Sequence, residues 1–337
     1  MDTTRKNPRA FTYRAGVRIA GTVVACDASV GSDLVFLSHA TVLGARGRRA
    51  LPRVGGGRRK ILSTDTTLTL LGPVGDRLRA QALISAYGRP FTLGDMRLEI
   101  FPSGYLPGAA SLLCERGGRR IVYAGPIGEG AEVRAADALC LDARLAARQV
   151  VFPARAAAEA SLRLTVQSML AAGEAPVLLI EPLTLAPSVG LALGEDGISL
   201  RAHRAIMDAA AVYKRAELPA PALQRFAGRL APNEVLLWPA ATPGLPHLGG
   251  SRAPGFILVS PHAEGPPARP RLDVPRAVTF PLGADFAALL RYVEATGAAE
   301  VALVNSPGDD LVELLAGRGL DAYRLGPPSQ IDLFAAA

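Results

Sequence analysis

The feature that most constrains the fold is a change of rhythm near residue 150. Before it, short apolar runs are separated by glycine-bearing turns; after it, such runs alternate with segments of helical period. Residues 11–26 alternate and are rich in Val, Thr and Ile, the pattern of early strands in a hairpin. Residues 33–38 (DLVFLS) read as a buried strand, and 97–101 and 111–114 as further strands. Gly117-Gly118 turns the last of these back into a strand over 121–124. Residues 138–141 close this β-rich region.

Beyond the change, residues 155–172 predict an amphipathic helix and 177–180 a buried strand. Helices are expected over 203–214 and 221–230, and strands over 235–238 and 256–259. The Pro- and Arg-rich stretch 261–275 reads as a loop crossing back between domains. From Ala277 the order is strand, helix (285–296), strand (301–305), helix (309–316) and a last strand near Tyr323. Alternation of this kind predicts an α/β fold in layers, with helices covering sheets.

Composition sets the function classes. With 337 residues, 49% of them hydrophobic and 20% charged, the chain has the profile of a packed globular protein. The net charge is +7 and the isoelectric point about 9.7, carried almost wholly by arginine, since Lys6, Lys60 and Lys214 are the only lysines. Arginine binds phosphate in bidentate fashion, so the balance fits an anionic partner, or equally a solvated arginine-rich surface. Arg46, Arg48, Arg49, Arg53, Arg58, Arg59 and Lys60 surround three consecutive glycines in a basic loop, a candidate for sequence-independent, salt-sensitive DNA or RNA contact. No aromatic residue interleaves with those arginines, so base stacking has no support there.

Cys26, Cys114 and Cys140 lack Cys-x-x-Cys spacing and lie on apolar segments, which predicts buried reduced thiols and a cytoplasmic location. The polar, basic start, residues 1–9, has no signal-peptide core. The most apolar long stretch, residues 175–193, contains Glu181 and three prolines and cannot span a membrane. Neither a Gly-x-Ser-x-Gly elbow nor a Gly-Lys-Ser/Thr phosphate loop occurs.

Five strings in order resemble the metallo-β-lactamase family of β-CASP type, in its ligase-associated exonuclease branch, whose relatives include nucleases that process messenger RNA 3′ ends. They are CDASVGSDLVFLSHA (26–40), FPSGYLPGAASLLCERGGRRIVYAGPI (101–127), ADALCLDA (136–143), HRAIMDAAAVY (203–213) and the stretch 284–325, so the resemblance spans roughly residues 15–325. It implies an αββα metallo-β-lactamase sandwich with an inserted β-CASP-like α/β domain. The expected division is a metallo-β-lactamase-like part over 1–150, the β-CASP-like domain over 151–275, and a return to the first domain over 276–337.

The family's chemistry rests on two zinc ions that activate water and stabilise charge at phosphorus. The resemblance lets each ligand motif be checked. Asp27 matches the aspartate ahead of the His-x-His-x-Asp-His loop, but that loop reads His39-Ala40-Thr41-Val42-Leu43-Gly44. The Gly-His turn is Ser103-Gly104-Tyr105, and the Gly-Asp that bridges the metals is Gly125-Pro126. Asp142 matches the acidic residue closing the first half. The late Ser-Asp-His-Ala-Asp string reads Pro281-Leu282-Gly283-Ala284-Asp285, and Thr-His-Gly reads Asn305-Ser306-Pro307. Asp27, His39 and Asp142 are thus vestiges of a larger set, with a buried, hydrogen-bonded role as the bland reading of each. His203 opens a helix and reads as structural, whereas His247 and His262 lie in Pro/Gly-rich loops without spacing partners.

The expectation is a pseudoenzyme with no catalytic residues, no metal and no cofactor. It would serve as a scaffold or regulatory subunit in DNA or RNA processing (DNA repair included), pairing with an active nuclease paralogue or a ligase. Two alternatives stand beside it: a non-catalytic nucleic-acid binder using a basic groove, and residual metal-dependent exonuclease or phosphoesterase activity on Asp27, His39 and Asp142.

Overall fold

A computed structural model of the protein describes residues 8–29, 33–42, 60–148, 151–242, 244–250, 252–261 and 274–327. The protein is mixed α/β, with three sheets and seven α-helices among those residues. No helix among them is long and apolar enough to cross a membrane. Contacts divide the chain into two units, one comprising Met1–Leu68, Arg77–Ala147 and Phe286–Ala337, the other Thr69–Asp76 and Arg148–Asp285.

The first unit contains two sheets. One holds β1 (Phe11–Tyr13), β2 (Val17–Ile19), β3 (Val24–Cys26), β4 (Leu34–Phe36), β5 (Lys60–Ser63) and β6 (Ala82–Ile84) in sequence order, antiparallel up to β3 and parallel from there. The other is made of β7 (Phe91–Leu93), β8 (Met96–Pro102), β9 (Ala110–Arg116), β10 (Arg119–Gly125), β11 (Ala138–Asp142), β18 (Glu300–Val304) and β19 (Asp321–Arg324). Its order is β19-β18-β11-β10-β9-β8-β7.

Alternation explains how the two sheets hold together. Leu98 and Ile100, Leu112 and Cys114, Ile121 and Tyr123, Ala138 and Cys140, and Ala302 and Val304 recur at every second position, so each pair faces one side. That side shares a single core with Phe11, Ile19, Val24, Cys26, Leu34, Phe36 and Leu62 of the first sheet. Fully burying each large member contributes roughly 1.5–3 kcal/mol. Cys26, Cys114 and Cys140 are buried free thiols in this core, and burial pushes all three up from the ordinary thiol range. The strands β11 and β18 are buried on both faces, the expected state of strands flanked by parallel neighbours and helices. Here α6 (Phe286–Thr296) and α7 (Asp310–Gly317) supply helical cover, α7 against β19.

In the second unit, β12 (Ala175–Ile180), β13 (Ser199–Ala202), β14 (Leu223–Arg225), β15 (Glu234–Pro239), β16 (Pro254–Ser260) and β17 (Arg276–Thr279) form an all-parallel sheet of order β14-β13-β15-β12-β16-β17. One face is covered by α3 (Arg155–Ala171), α4 (Ala186–Glu195) and α5 (Arg204–Arg215). Ala158, Leu162, Val166 and Met169 of α3, at spacings of four, four and three, line up on that face. The opposite face is covered by apolar residues of the 226–248 stretch, Phe226, Leu230 and Leu248 among them. The remaining helices, α1 (Asp65–Leu70) and α2 (Pro73–Leu78), lie where the chain passes from one unit to the other.

Three elements differ from expectation. Residues 221–230 are not a helix: β14 pairs with Leu200–Ala202, and Pro219 and Pro221 hold the preceding chain extended. A helix that the sequence reading did not call follows the expected buried strand: β12 leads through a turn into α4, with a proline in the first turn where its missing N–H is harmless. Residues 276–285 belong to the second unit, because β17 is hydrogen-bonded to β16, so the return to the first unit begins at Phe286.

Candidate functional site

Sheet register brings the ends of several strands together in the first unit. Asp27 directly follows β3 with φ +49°, a left-handed conformation that aspartate tolerates better than most residues. Ser38 and His39 follow β4. Asp142 ends β11, which runs parallel to β18, and Asn305 follows β18 with φ +57°. Tyr123 of β10 lies on the inner face of its sheet. Gly104 (φ +69°) passes so close to the carbonyl of Glu129 that a Cβ would lie 2.4 Å from it, which fixes the turn carrying Tyr105.

Asp27 is satisfied by three donors. Its Oδ1 accepts the Ser38 amide at 2.8 Å, and its Oδ2 accepts the Ser38 hydroxyl at 2.5 Å and the Tyr123 hydroxyl at 2.8 Å. The Ser38 oxygen also lies 2.7 Å from His39 Nδ1. Since Ser38 gives its single proton to the carboxylate, the ring donates from Nδ1 and its Nε2 is a bare lone pair. That Nε2 is buried without a partner among the described residues, an arrangement costing about 1–3 kcal/mol. Burial pushes the His39 imidazole below its ordinary value of 6.5, Arg144 adds to the depression, and Asp27 and Asp142 oppose it. The Tyr105 ring meets His39 edge-on, with centroids 5.3 Å apart. Burial, with Asp27 beside it, raises the Tyr123 phenol far above its usual range.

Asp142 has a different partner. Arg144 grips it with Nε to Oδ1 at 2.9 Å and Nη2 to Oδ2 at 2.5 Å, and the Arg144 amide donates to Oδ1 at 3.1 Å. Asn305 adds its amide N–H to Oδ2 at 2.9 Å. Hydrogen bonding to Asp142 pushes the already strong base Arg144 further up. The carboxylate is 5% exposed and the arginine side chain 44%, so the pair runs from the interior to solvent.

The donors do not fit a zinc ion. Both carboxylates are engaged by protein donors, His39 Nδ1 is engaged by Ser38, and no three His, Cys, Asp or Glu side chains among the described residues are placed to share a metal.

Of the other residues singled out in the sequence, Arg46, Arg48, Arg49, Arg53, Arg58 and Arg59 lie outside the described residues, as does His262. Lys60 is exposed at the start of β5. His203 caps α5, its Nδ1 accepting the Ala205 amide at 3.1 Å, and packs on Trp238 at 4.6 Å between centroids. Asp285, in the second unit, accepts the Phe152 amide at 3.1 Å. Sequence reasoning missed Ser38, Tyr123, Arg144 and the amide of Asn305. For Arg144 a signal was present, a basic residue two positions beyond the acidic end of a strand; for Tyr123 there was none, since its partner is 96 residues away.

No family model matches the chain, and no curated protein matches it.

Proposed function

We propose that the chain is a non-catalytic protein of the metallo-β-lactamase/β-CASP kind. Its first unit would be the αββα sandwich and its second the inserted β-CASP-like domain, the whole acting as a scaffold or regulatory subunit beside an active nuclease in DNA or RNA processing. Two sheets sharing one core, and a parallel α/β unit between the two parts of the chain that form them, support the architectural half of this reading. The observation that carries the functional half is the bidentate Arg144–Asp142 pair. A guanidinium supplies there the positive charge that a hydrolytic metal centre would need to supply, and unlike a metal it offers no open position for an attacking water. Most of the basic loop that would support direct nucleic-acid binding, Arg46, Arg48, Arg49, Arg53, Arg58 and Arg59, lies outside the described residues.

The reading is tested by adding zinc or manganese to the purified chain with single- and double-stranded DNA and RNA. Neither metal should raise its melting temperature and no substrate should be cut, whereas the tagged chain recovered from its host should carry a metal-dependent nuclease activity removable by stringent washing. Metal-dependent cleavage by the purified chain alone overturns the proposal.

A further inference from the structure

Three buried side-chain polar atoms on neighbouring turns of the first unit have no partner among the described residues: His39 Nε2, Thr41 Oγ1 and Ser103 Oγ. His39 is 2% exposed and Ser103 1%. The turns are joined directly. Val42 N–H donates to His39 C=O, Ala110 N–H to Ser38 C=O and Ser103 N–H to Ala109 C=O, while Tyr105, two residues past Ser103, lies against the His39 ring. Native interiors leave few such atoms unpaired, and a concentration of them in one corner marks a place where something else supplies the bonds.

The chemistry of the three atoms narrows the occupant. The Asp27–Ser38–His39 chain fixes Nε2 as an acceptor, so the occupant must donate a hydrogen there. The serine and threonine hydroxyls each accept and donate. Asp27 and Asp142 carry two negative charges nearby, against the single cation of Arg144, so the corner does not favour an anion. We propose that this corner is a binding site for a neutral, hydroxyl-bearing ligand, a vicinal diol such as that of a ribose or a small polyol. One hydroxyl donates to His39 Nε2 and its neighbour exchanges hydrogen bonds with Ser103 and Thr41. Tyr105, half-buried over the imidazole, is the side chain that must swing aside for entry. This inference goes beyond the scaffold reading and does not depend on it, because the hydrogen-bond chain stands whatever the partner protein is.

The test uses the full-length ¹⁵N-labelled chain at pH 8, where His39 is neutral, and follows the His39 side-chain nitrogens by NMR. The probes are uridine, glycerol, 2′,3′-dideoxyuridine and inorganic phosphate. Uridine or glycerol should move the Nε2 resonance, and in calorimetric titrations His39→Phe should weaken their binding about tenfold, the worth of one good hydrogen bond. Ser103→Ala, a smaller change, should weaken it in the same direction and guards against a His39→Phe variant that fails to fold. Dideoxyuridine and phosphate should leave the resonance in place. The proposal is overturned if neither hydroxyl probe shifts it, which would leave the corner to an ordered water, or if phosphate and the dideoxynucleoside shift it equally.

Discussion

The two ends of β18 each place a bonded carboxylate in the interior, but the polar groups around them fare differently. At its start, Glu300 accepts the Ala10 amide at 2.8 and 3.1 Å, Arg119 Nη2 at 2.6 Å and the Tyr323 hydroxyl at 2.7 Å, while the Arg9 guanidinium stacks on the Tyr323 ring. Both oxygens of Glu300 are met by protein donors, and the result fastens the N-terminal segment to the second sheet. Beyond its other end, Asn305 helps hold Asp142, but in the adjoining turns His39 Nε2, Thr41 Oγ1 and Ser103 Oγ have no partner among the described residues. Polar satisfaction therefore separates a fastening from a place prepared for something else. Burial alone does not make the distinction, since Glu300 is 7% exposed and His39 2%.

The largest expected effect lies at the closed end. Replacing Glu300 with alanine strands the Ala10 amide and the Tyr323 hydroxyl and takes from Arg119 its carboxylate partner, and should cost about 3 kcal/mol in urea unfolding. A loss under about 1 kcal/mol would mean that the network does not fasten the strand. Next comes the Arg144–Asp142 pair, where the outcome should be asymmetric. Arg144→Ala leaves a buried carboxylate held by Asn305 and a backbone amide, and should cost about 2 kcal/mol. Asp142→Ala leaves a guanidinium that can turn to solvent, and should cost about half as much. Equal losses would show that the pair behaves as an ordinary surface bridge.

Much of the fold was legible because alternation is written residue by residue. The strands β8 to β11 announce themselves in the sequence, and their inward residues are those of the shared core. β14 was not legible, because three residues at a sheet edge owe their conformation to pairing with Leu200–Ala202 rather than to any local period. The corner was partly legible: Asp27, His39 and Asp142 stand out through the strings that resemble the family's ligand motifs. What holds them did not stand out, since the Tyr123–Asp27 and Asn305–Asp142 bonds join residues 96 and 163 positions apart. Sequence spacing carries no trace of such register-made contacts.

The pH dependence sharpens the contrast further. The folded His39 titrates below 6.5, so under that pH the unfolded chain takes up a proton that the folded chain refuses. Stability present at pH 8 should therefore fall as the pH drops through 6.5 toward the folded value, with Asp27 and Asp142 moderating the loss and Arg144 adding to it. His39→Phe removes the titrating group. It should lie within about 1 kcal/mol of the wild type at pH 8 and lose less stability between pH 7 and 5. A variant whose pH profile overlays that of the wild type would show that the imidazole is not the group responsible.

The smallest expected effect is the most discriminating. Ser103 is fully buried, yet its hydroxyl makes no bond among the described residues, so Ser103→Ala removes an unmet polar group rather than a contact. For a bonded, buried serine the change would cost about 1 kcal/mol; here it should be neutral within about 0.5 kcal/mol, or slightly stabilising. The comparison that isolates the cause is with Ser38→Ala, which takes a donor from Asp27 and an acceptor from the His39 Nδ1–H together and should cost about 1–2 kcal/mol. If both serines cost the same, the Ser103 oxygen already has a partner in the ligand-free protein, and the distinction between the closed and open ends of β18 fails at its most sensitive point.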